Sequence, residues 1–328
     1  MNNSFGNNFR IEIYGGSHTE SLGVIISGVP AGIALAESDF EADLSRRRSG
    51  AKGTTPRREG DVPHIVSGVE SGTTTGEKIE IVFYNENTRS GDYERLRNYP
   101  RPSHADLTAR HKFGDEFDLR GGGIFSGRMT LLLVAAGVVA KKITAHAQYT
   151  SRIVEIGGCR EVEQFDSVVA AAQRDGDSVG GVIECQIKGA GRDLGEPFFD
   201  SVESVAAHLL FSVPAVKGVE FGSGFAGVAL RGSERNDRII DGEGTTATNH
   251  EGGINGGITN GNPIVVRVAV KPTPSIAQPQ ETYNFATQRV ESLTIGGRHD
   301  ACIVLRCAVV IEAVMAIALA ELTLSLCP

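Results

Sequence analysis

The sequence predicts an α+β protein in which two buried helices lie among several short strands. Short segments alternate apolar and polar residues, as half-buried strands do. Two long runs of small and apolar residues each follow a cluster of glycines and an arginine, which indicates two similar buried helices. A chain of 328 residues can bury a sizeable core, and no low-complexity linker divides it. We therefore expect a single domain over residues 1–328.

The elements follow in order along the chain. Strands are predicted at residues 9–14, 22–27, 64–69, 79–84, 151–156, 181–187 and 263–270. Ser38 and Glu41 have the spacing of a capping box, so a helix should begin there and end at the arginines 46–48. Ser103 should cap a short helix that reaches His111, and Ser126 should open a long helix. Further helices are predicted at residues 126–147 and 200–211 and from about Cys302.

The last helix is apolar enough to suggest a membrane span. Within residues 307–326, however, Glu312 and Glu321 interrupt the apolar run. A charge at bilayer depth costs several kcal/mol, roughly 3 on insertion scales. We therefore expect a buried core helix.

Charge and cysteine usage exclude several classes of function. A formal net charge of −8 argues against nucleic acid as a partner. The five cysteines form no CxxC pair, which gives no support for a metal site and suits a reducing compartment. The first sixteen residues lack a basic segment followed by an apolar one, so no secretion signal is predicted. The expected location is the cytoplasm, away from any membrane.

Reactive side chains gather on turns beside these elements. The pairs are Ser17 with His18, Arg101 with His104, Ser126 with Arg128, and Arg298 with Asp300; a cationic loop adds Arg47, Arg48, Lys52, Arg57 and Arg58. Taken singly, each has a structural explanation, such as a solvated histidine or an ordinary helix start. Taken together, guanidinium and imidazole groups beside the glycines 121–123 predict a site for an anionic ligand.

The same residues resemble the successive motifs of a known family. The stretches are YGGSHTESLGVIISGVP, SRRRSG with TTPRRE, RPSHAD, RGGGIFSGR, NHEGGINGGITNG, KPTPSI and GRHDAC. In this order they resemble the motifs of chorismate synthases, from about Phe5 to Leu324.

The resemblance implies a fold and a reaction. The fold is a β–α–β sandwich with helices packed between two antiparallel sheets, assembled as a homotetramer. The reaction is the 1,4-anti elimination of phosphate from 5-enolpyruvylshikimate 3-phosphate, which yields chorismate at the last step of the shikimate pathway for aromatic amino acids. It requires reduced FMN without net redox change. Whether NADPH reduces the flavin on the protein or an external reductant does so stays open.

The resemblance also assigns roles to residues. His18 corresponds to a proton donor near the flavin, His104 to the general acid at the departing phosphate, and Asp300 to a carboxylate that assists proton transfer at the flavin. The substrate-binding positions are Ser17, Arg47, Arg48, Arg101, Arg128 and Arg298. The cofactor-binding positions are Arg47, Lys52, Ser126, Asn249, Gly256, Lys271, Pro272, Thr273, Pro274, Ser275 and Arg298.

The sequence departs from the family pattern at several positions and leaves two other functions open. Gly16 stands where glutamate is common, Ile124 and Phe125 replace an arginine and a serine, and Glu251 replaces an alanine. One alternative is a phosphohydrolase with His104 or His299 as the nucleophile, which would need no flavin. The other is an inactive member of the family that binds flavin or anions without turnover.

Overall fold

The computed structural model describes residues 2–50, 53–54, 60–85, 98–296 and 299–326. Within them the strands are β1 (Ser4–Phe5), β2 (Arg10–Gly15), β3 (Ser21–Ser27), β4 (His64–Ser67), β5 (Val69–Glu70), β6 (Thr73–Thr74), β7 (Ile79–Tyr84), β8 (Gln148–Ile156), β9 (Gly181–Lys188), β10 (Val216–Phe221), β11 (Ile254–Asn255), β12 (Ile258–Thr259), β13 (Ile264–Val270), β14 (Gln280–Asn284) and β15 (Arg289–Leu293). The helices are α1 (Glu41–Arg47), α2 (Asp106–Phe113), α3 (Thr130–Ile143), α4 (Phe165–Arg174), α5 (Val202–Ser212), α6 (Gly232–Arg235) and α7 (Val304–Ser325).

Two antiparallel sheets form the outer layers. The first has the order β1-β2-β3-β7-β4 and the second the order β10-β13-β9-β8. Strand β13 alternates strictly between buried and half-buried residues, because successive side chains point to opposite faces of a sheet. Its inward face supplies Ile264, Val266, Val268 and Val270 to the core.

Helices α3 and α7 fill the space between the sheets. α3 packs against β3 of the first sheet, α7 packs against β8 and β9 of the second, and the two helices pack on each other. They approach closely at Gly137, where an added Cβ would lie 2.4 Å from the Cβ of Ala313. The predicted α+β architecture, with buried helices between two antiparallel sheets, is therefore confirmed.

The two carboxylates of α7 are both held by partners. Glu312 receives both terminal nitrogens of Arg46 at 2.7 Å and the hydroxyl of Ser151 at 2.6 Å. Glu321 accepts backbone N–H groups from the N-terminal segment, among them that of Phe9 at 2.6 Å. Buried charges that are paired in this way are tolerable in a protein core. The helix is long and apolar enough to span a membrane, yet 83% of its most apolar window is buried inside the protein. The predicted core helix is confirmed.

Several boundaries and caps differ from the sequence prediction. Ser38 does not cap a helix; a 3₁₀ turn begins at Glu37, and the Asp39 carboxylate accepts the N–H of Ala36 at 2.8 Å. Ser103 does not cap α2 either, because it has a φ of 60° and α2 begins three residues later without a side-chain cap. Ser126 does accept the N–H of Arg128, at 3.3 Å, as predicted, whereas α3 ends at Ile143 rather than near residue 147.

Some elements carry weak sequence signals. Strand β10 and the hairpin β14–β15 were not predicted, and neither was helix α4. Strand β10 contains a glycine and a lysine and departs from the alternating pattern, and it pairs with β13 through an irregular register. Its place in the sheet is decided by its partner strand rather than by its own periodicity.

Candidate functional site

One cavity of about 610 Å³ collects residues from seven separate parts of the chain. Its walls come from the end of α1, Asp61, the segment before α2, the glycine loop at residues 121–123 with the start of α3, the stretch from the end of α5 to the start of β10, the segment after β13, and the segment before α7 with the start of that helix. Predicted site residues that line it are Arg47, Arg101, His104, Ser126, Arg128, Lys271, Thr273, Pro274, Ser275 and Asp300. Loops at the ends of rigid elements commonly carry binding groups, and here they converge.

A buried carboxylate joins two of the arginines. The Nη1 atoms of Arg47 and Arg128 donate to the two oxygens of Asp61, at 2.9 and 2.8 Å respectively. Arg47 also donates to the carbonyl of Arg128 at 3.2 Å and to Thr130 Oγ1 at 3.2 Å. The Nε of Arg128 donates to Asn85 Oδ1 at 2.5 Å. Each guanidinium is thus fixed by more than one partner.

Burial changes the acidity of Arg47. Burial lowers the pKa of Arg47 to about 9; Asp61 opposes that shift, and the guanidiniums of Arg306 and Arg128 add to it. A pKa of about 9 still leaves the side chain charged at neutral pH. The wall therefore presents a desolvated cation, which attracts an anion more strongly than a solvated one does.

A second cluster contains Arg101, His104 and Asp106. Arg101 donates from Nε and Nη2 to the two oxygens of Asp106, at 2.8 and 2.7 Å, and its Nη1 donates to Ser275 Oγ at 3.2 Å. His104 Nδ1 lies 2.8 Å from Asp106 Oδ1. Burial alone would raise the pKa of Asp106, but the hydrogen bonds from Arg101 and His104 hold it well below its ordinary value.

The charge on Asp106 decides the tautomer of His104. An ionised carboxylate only accepts hydrogen bonds, so Nδ1 of His104 carries the proton and donates it to Asp106. The contact of 3.1 Å between Nδ1 and Arg101 Nη2 is then not a hydrogen bond, since both atoms are donors. Nε2 of His104 is left to act on a ligand.

The triple glycine separates the two predicted catalytic histidines. Gly121, Gly122 and Gly123 all have positive φ, at 60°, 88° and 54°. An added Cβ on Gly121 would lie 2.2 Å from the Cε1 of His18, and one on Gly122 would lie 3.7 Å from the Nε2 of His104. Glycine suits all three positions because of their positive φ, and at Gly121 the ring of His18 also leaves no room for a Cβ.

His18 and Ser17 stand behind this loop rather than in the cavity wall. Gly121 lines the cavity, whereas neither His18 nor Ser17 is part of the lining. Ser17 is 1% exposed and donates its N–H to the carbonyl of Gly123 at 3.3 Å. Ser17 and His18 therefore contact Gly121 on the side away from the cavity and do not line the cavity themselves.

The segment before α7 supplies a carboxylate and a histidine. Asp300 accepts from Arg306 Nη1 at 3.0 Å, and Arg306 Nε donates to the carbonyl of Arg47 at 2.8 Å. Both side chains line the cavity, as does His299. Burial is the main reason that the pKa of His299 lies below its ordinary value, which favours the neutral ring.

Two lysines complete the cationic lining. Lys271 donates to the carbonyl of Ser103 at 2.7 Å, which ties the segment after β13 to the segment before α2. Burial and the nearby Lys217 lower the pKa of Lys271. Among the described wall residues, six cationic side chains face two carboxylates. The cationic members are Arg47, Arg101, Arg128, Lys217, Lys271 and Arg306, and the carboxylates are Asp61 and Asp300.

Four predicted site residues lie elsewhere. Arg48 forms a two-point ion pair with Glu41, at 2.6 and 2.8 Å, and is not in the lining. The amide of Asn249 is used within its own loop, since it donates to the carbonyl of Pro263 and accepts from Gly253, each at 2.8 Å. Gly256 and Pro272 are also outside the lining. Lys52, Arg57, Arg58 and Arg298 lie outside the described residues.

The departures from the family pattern have clear local settings. Ile124 and Phe125 both line the cavity, where they form an apolar part of its wall. Phe125 packs at the edge of Phe117, with ring centroids 6.3 Å apart, and Phe117 stacks on Phe113 at 4.7 Å. The charge of Glu251 is paired with Arg235 in α6.

Sequence reasoning missed four charged residues of the site: Asp61, Asp106 as a partner of His104, Lys217 and Arg306. Asp106 had a signal, because it follows His104 by two residues in the SHAD motif. Asp61 and Arg306 had none, since an acidic residue in a polar loop and an arginine on an apolar helix are ordinary.

Known proteins resemble the chain over nearly its whole length. The family model for chorismate synthase matches residues 9–324. A chorismate synthase of Chitinophaga pinensis is 56% identical over 323 residues, covering 98% of this chain and 96% of the relative. A chorismate synthase of Korarchaeum cryptofilum is 42% identical, covering 97% of this chain and 96% of the relative. A crystal structure of chorismate synthase superposes with a TM-score of 0.76 at 27% identity, covering 98% of this chain and 93% of that one. The chain therefore belongs to the chorismate synthase family.

Proposed function

We propose that this protein converts 5-enolpyruvylshikimate 3-phosphate to chorismate by 1,4-anti elimination of phosphate, with reduced FMN as its cofactor. It would then be a carbon–oxygen lyase acting on a phosphate ester, at the last step of the shikimate pathway. The single observation that carries the proposal is the convergence of Arg47, Arg101, Arg128 and His104 on one cavity in a member of this family.

The cavity suits anionic ligands because of the number of its cationic side chains and the chemistry of its guanidinium groups. Guanidinium groups bind carboxylate and phosphate oxygens through paired donors, and the six cations exceed the two carboxylates of the described wall. Its volume of about 610 Å³ lies within the range of about 300–1,000 Å³ that is usual for ligand sites.

The residues present also fit a flavin mononucleotide. The ring system needs an apolar wall, which Ile124 and Phe125 provide, while the phosphate needs cations, which Lys271 and its neighbours provide. The chemistry that reduced FMN would supply when bound is transient electron donation to the substrate and acceptance of the C6 hydrogen. Ser126, Thr273, Pro274 and Ser275, which line the same cavity, would contribute to holding the cofactor.

His104 is the proposed general acid. Its Nδ1–H is held by Asp106, so the doubly protonated ring would give its Nε2 proton to the phosphate oxygen as the carbon–oxygen bond breaks, leaving the neutral ring with its proton on Nδ1. Arg101, held by the same carboxylate, would neutralise charge on the leaving phosphate.

His18 and Asp300 are the proposed proton carriers on the cofactor side. Asp300 lines the cavity and is oriented by Arg306, while His18 contacts the glycine loop that forms part of the wall. Arg47, Arg48, Arg128, Arg298, Lys52, Ser17, Asn249, Gly256 and Pro272 complete the set proposed by family resemblance.

We also propose a cytoplasmic homotetramer of single-domain chains. Helix α3 packs on the first sheet, helix α7 packs on the second, and the two helices pack on each other, which supports one domain. Exposed aromatic side chains support assembly: Phe198, Phe199 and Phe225 are 84%, 89% and 81% exposed. Large apolar side chains in such positions are typical of surfaces that another chain covers.

The decisive test is an anaerobic assay with purified protein, substrate and photoreduced FMN. We expect equimolar phosphate and chorismate, and neither product when flavin is omitted. Phosphate release that does not depend on flavin would favour a phosphohydrolase, and flavin binding without turnover would favour an inactive relative.

The same assay tests His104. His104→Ala should lower kcat by roughly 10²–10⁴-fold, the usual contribution of a general acid, while flavin affinity stays near that of the wild type. His111→Ala is the matched control, because His111 is exposed on α2 and outside the cavity lining. Full activity of the His104 variant would remove the assignment.

A further inference from the structure

Asp61 is a buried carboxylate in a wall where the six cationic side chains face only one other carboxylate among the described residues, Asp300. Its side chain is 2% exposed, and its oxygens lie 2.9 and 2.8 Å from the Nη1 atoms of Arg47 and Arg128. A carboxylate oxygen at this position opposes any anion that approaches the same two guanidiniums. The presence of the Asp61 carboxylate between two arginines that would bind an anion therefore requires an explanation.

The backbone at Asp61 favours a small polar residue. Its φ is 47°, in the left-handed region that aspartate and asparagine enter more readily than most residues. The turn directs the side chain between α1 and the start of α3. Asparagine can replace aspartate here with the same shape and the same turn, but without the charge. Its one oxygen accepts from only one of the two guanidiniums, and its amide nitrogen faces the other donor.

The two arginines do not depend on Asp61 alone for their positions. Arg47 is also held by Thr130 and by the carbonyl of Arg128, each at 3.2 Å. Arg128 is also held by Asn85 at 2.5 Å. Neutralising Asp61 therefore changes the charge between the guanidiniums more than it changes their geometry.

We propose that Asp61 is an internal counter-anion that sets the affinity of the cavity for anionic ligands. Without ligand, it compensates two desolvated cations that would otherwise repel each other. With ligand, it weakens the hold of Arg47 and Arg128 on an anion that they contact, and so favours release of that anion. This inference rests on the proposed function only in that the cavity receives anions.

The test measures binding of inorganic phosphate by calorimetry to the full-length protein and to Asp61→Asn. Removal of one nearby negative charge should tighten phosphate binding by about tenfold or more. Thermal stability without phosphate should fall, and added phosphate should restore it to a greater extent than in the wild type. Loss of packing alone would weaken binding, so tighter binding distinguishes this role from a merely structural one.

Glu184→Gln is the matched control. It removes one negative charge from the second sheet, where Glu184 pairs with Arg152 at 2.7 Å and does not line the cavity. Its phosphate affinity should stay within twofold of the wild type. Equal or weaker phosphate binding by Asp61→Asn than by this control would overturn the proposal.

A second variant covers the case in which Asp61→Asn does not fold. Asp61→Gly also removes the carboxylate and accommodates the φ of 47°, so it should show the same gain in phosphate affinity. The turnover assay separates the two proposals. Chorismate formation with unchanged phosphate affinity in these variants overturns the role of Asp61 alone. Tighter phosphate binding without any chorismate formation by the wild type supports that role and overturns the proposed function.

Discussion

Acidic side chains organise the basic ones in this cavity. Arg47 and Arg128 share Asp61, Arg101 and His104 share Asp106, and Arg306 holds Asp300. In each group the carboxylate either joins two segments of the chain or holds the side chain of a hydrogen-bond donor in one orientation. Preorganised donors cost little rearrangement when a ligand binds, which is why such pairs suit a site that neutralises developing charge.

Replacement of Asp106 should reveal its contribution to stability and its dependence on pH. Asp106→Asn leaves Arg101 buried without its partner charge, so the free energy of unfolding should fall by about 3 kcal/mol at pH 7. The pKa of Asp106 is lower in the folded protein than its ordinary value, so its stabilising effect is present above that ordinary value. It is lost as the pH falls below about 4 and the unfolded chain takes up the proton.

Chemical denaturation of wild type and Asp106→Asn at several pH values between 7 and 3 checks this prediction. The gap between the two unfolding free energies should narrow towards acid pH. Asp115→Asn is the control, since Asp115 forms an exposed pair with Arg110 and should change stability little at any pH. A gap that is independent of pH would contradict the assignment of the charge to Asp106.

At the scale of elements, the glycine loop sets the distance between two rings. Gly121→Ala places a Cβ 2.2 Å from the Cε1 of His18, so the ring must move. A displacement of about 1 Å in a catalytic group can lower activity by about 100-fold, and we expect a loss of that size in kcat/KM.

Gly114→Ala provides the matched control for Gly121→Ala. Gly114 also has a positive φ, of 85°, but an added Cβ there meets no atom within 4 Å. Both variants should lose about 1–3 kcal/mol of stability from the strained backbone, and Gly114→Ala the more, because its ψ of 172° lies in a region nearly exclusive to glycine; only Gly121→Ala should lose activity. Thermal unfolding and the turnover assay measure the two effects, and equal activities would show that the loop does not position His18.

The contact between α3 and α7 is a second element-scale feature. Gly137→Ala would place a Cβ 2.4 Å from the Cβ of Ala313 and 2.6 Å from its Cα, so the two helices must separate. Overpacking of this kind destabilises a core by about 1–3 kcal/mol. Gly232→Ala, where the added Cβ meets nothing within 4 Å, should cost nothing. Denaturant midpoints of the two variants check the difference.

At the scale of the whole molecule, the proposed homotetramer accounts for the exposed aromatic side chains. Light scattering should give a mass of about four times the 34.7 kDa of one chain. Phe198→Ser combined with Phe199→Ser should lower that mass, because the two exposed rings lose their apolar contacts. Val162→Ser, which alters one exposed valine, should leave it unchanged. A wild-type protein of a single-chain mass would contradict the assembly.

The sequence by itself determined the elements with a strong period and the residues that stand at their ends. The alternation of residues 9–14 predicted β2, the short apolar stretch 22–27 predicted β3, and the long apolar runs predicted α3 and α7. Their motifs also identified the family, because Arg101, His104, Ser126 and Arg128 lie in short runs of neighbouring residues that resemble the motifs of that family. These are properties of neighbours along the chain, which a sequence displays directly.

Only the tertiary structure decided which charged and polar side chains pair with each other and which of them line the cavity. Arg128 meets Asp61 across 67 residues, and Arg101 meets Ser275 across 174. His18 and Ser17 lie behind the glycine loop, and Arg48 lies beside Glu41. The sequence predicted all three as site residues in the same way as those that do line the cavity. The physical reason is that the packing of α3 and α7 between two sheets brings distant segments together, and local periodicity carries no information about such pairs.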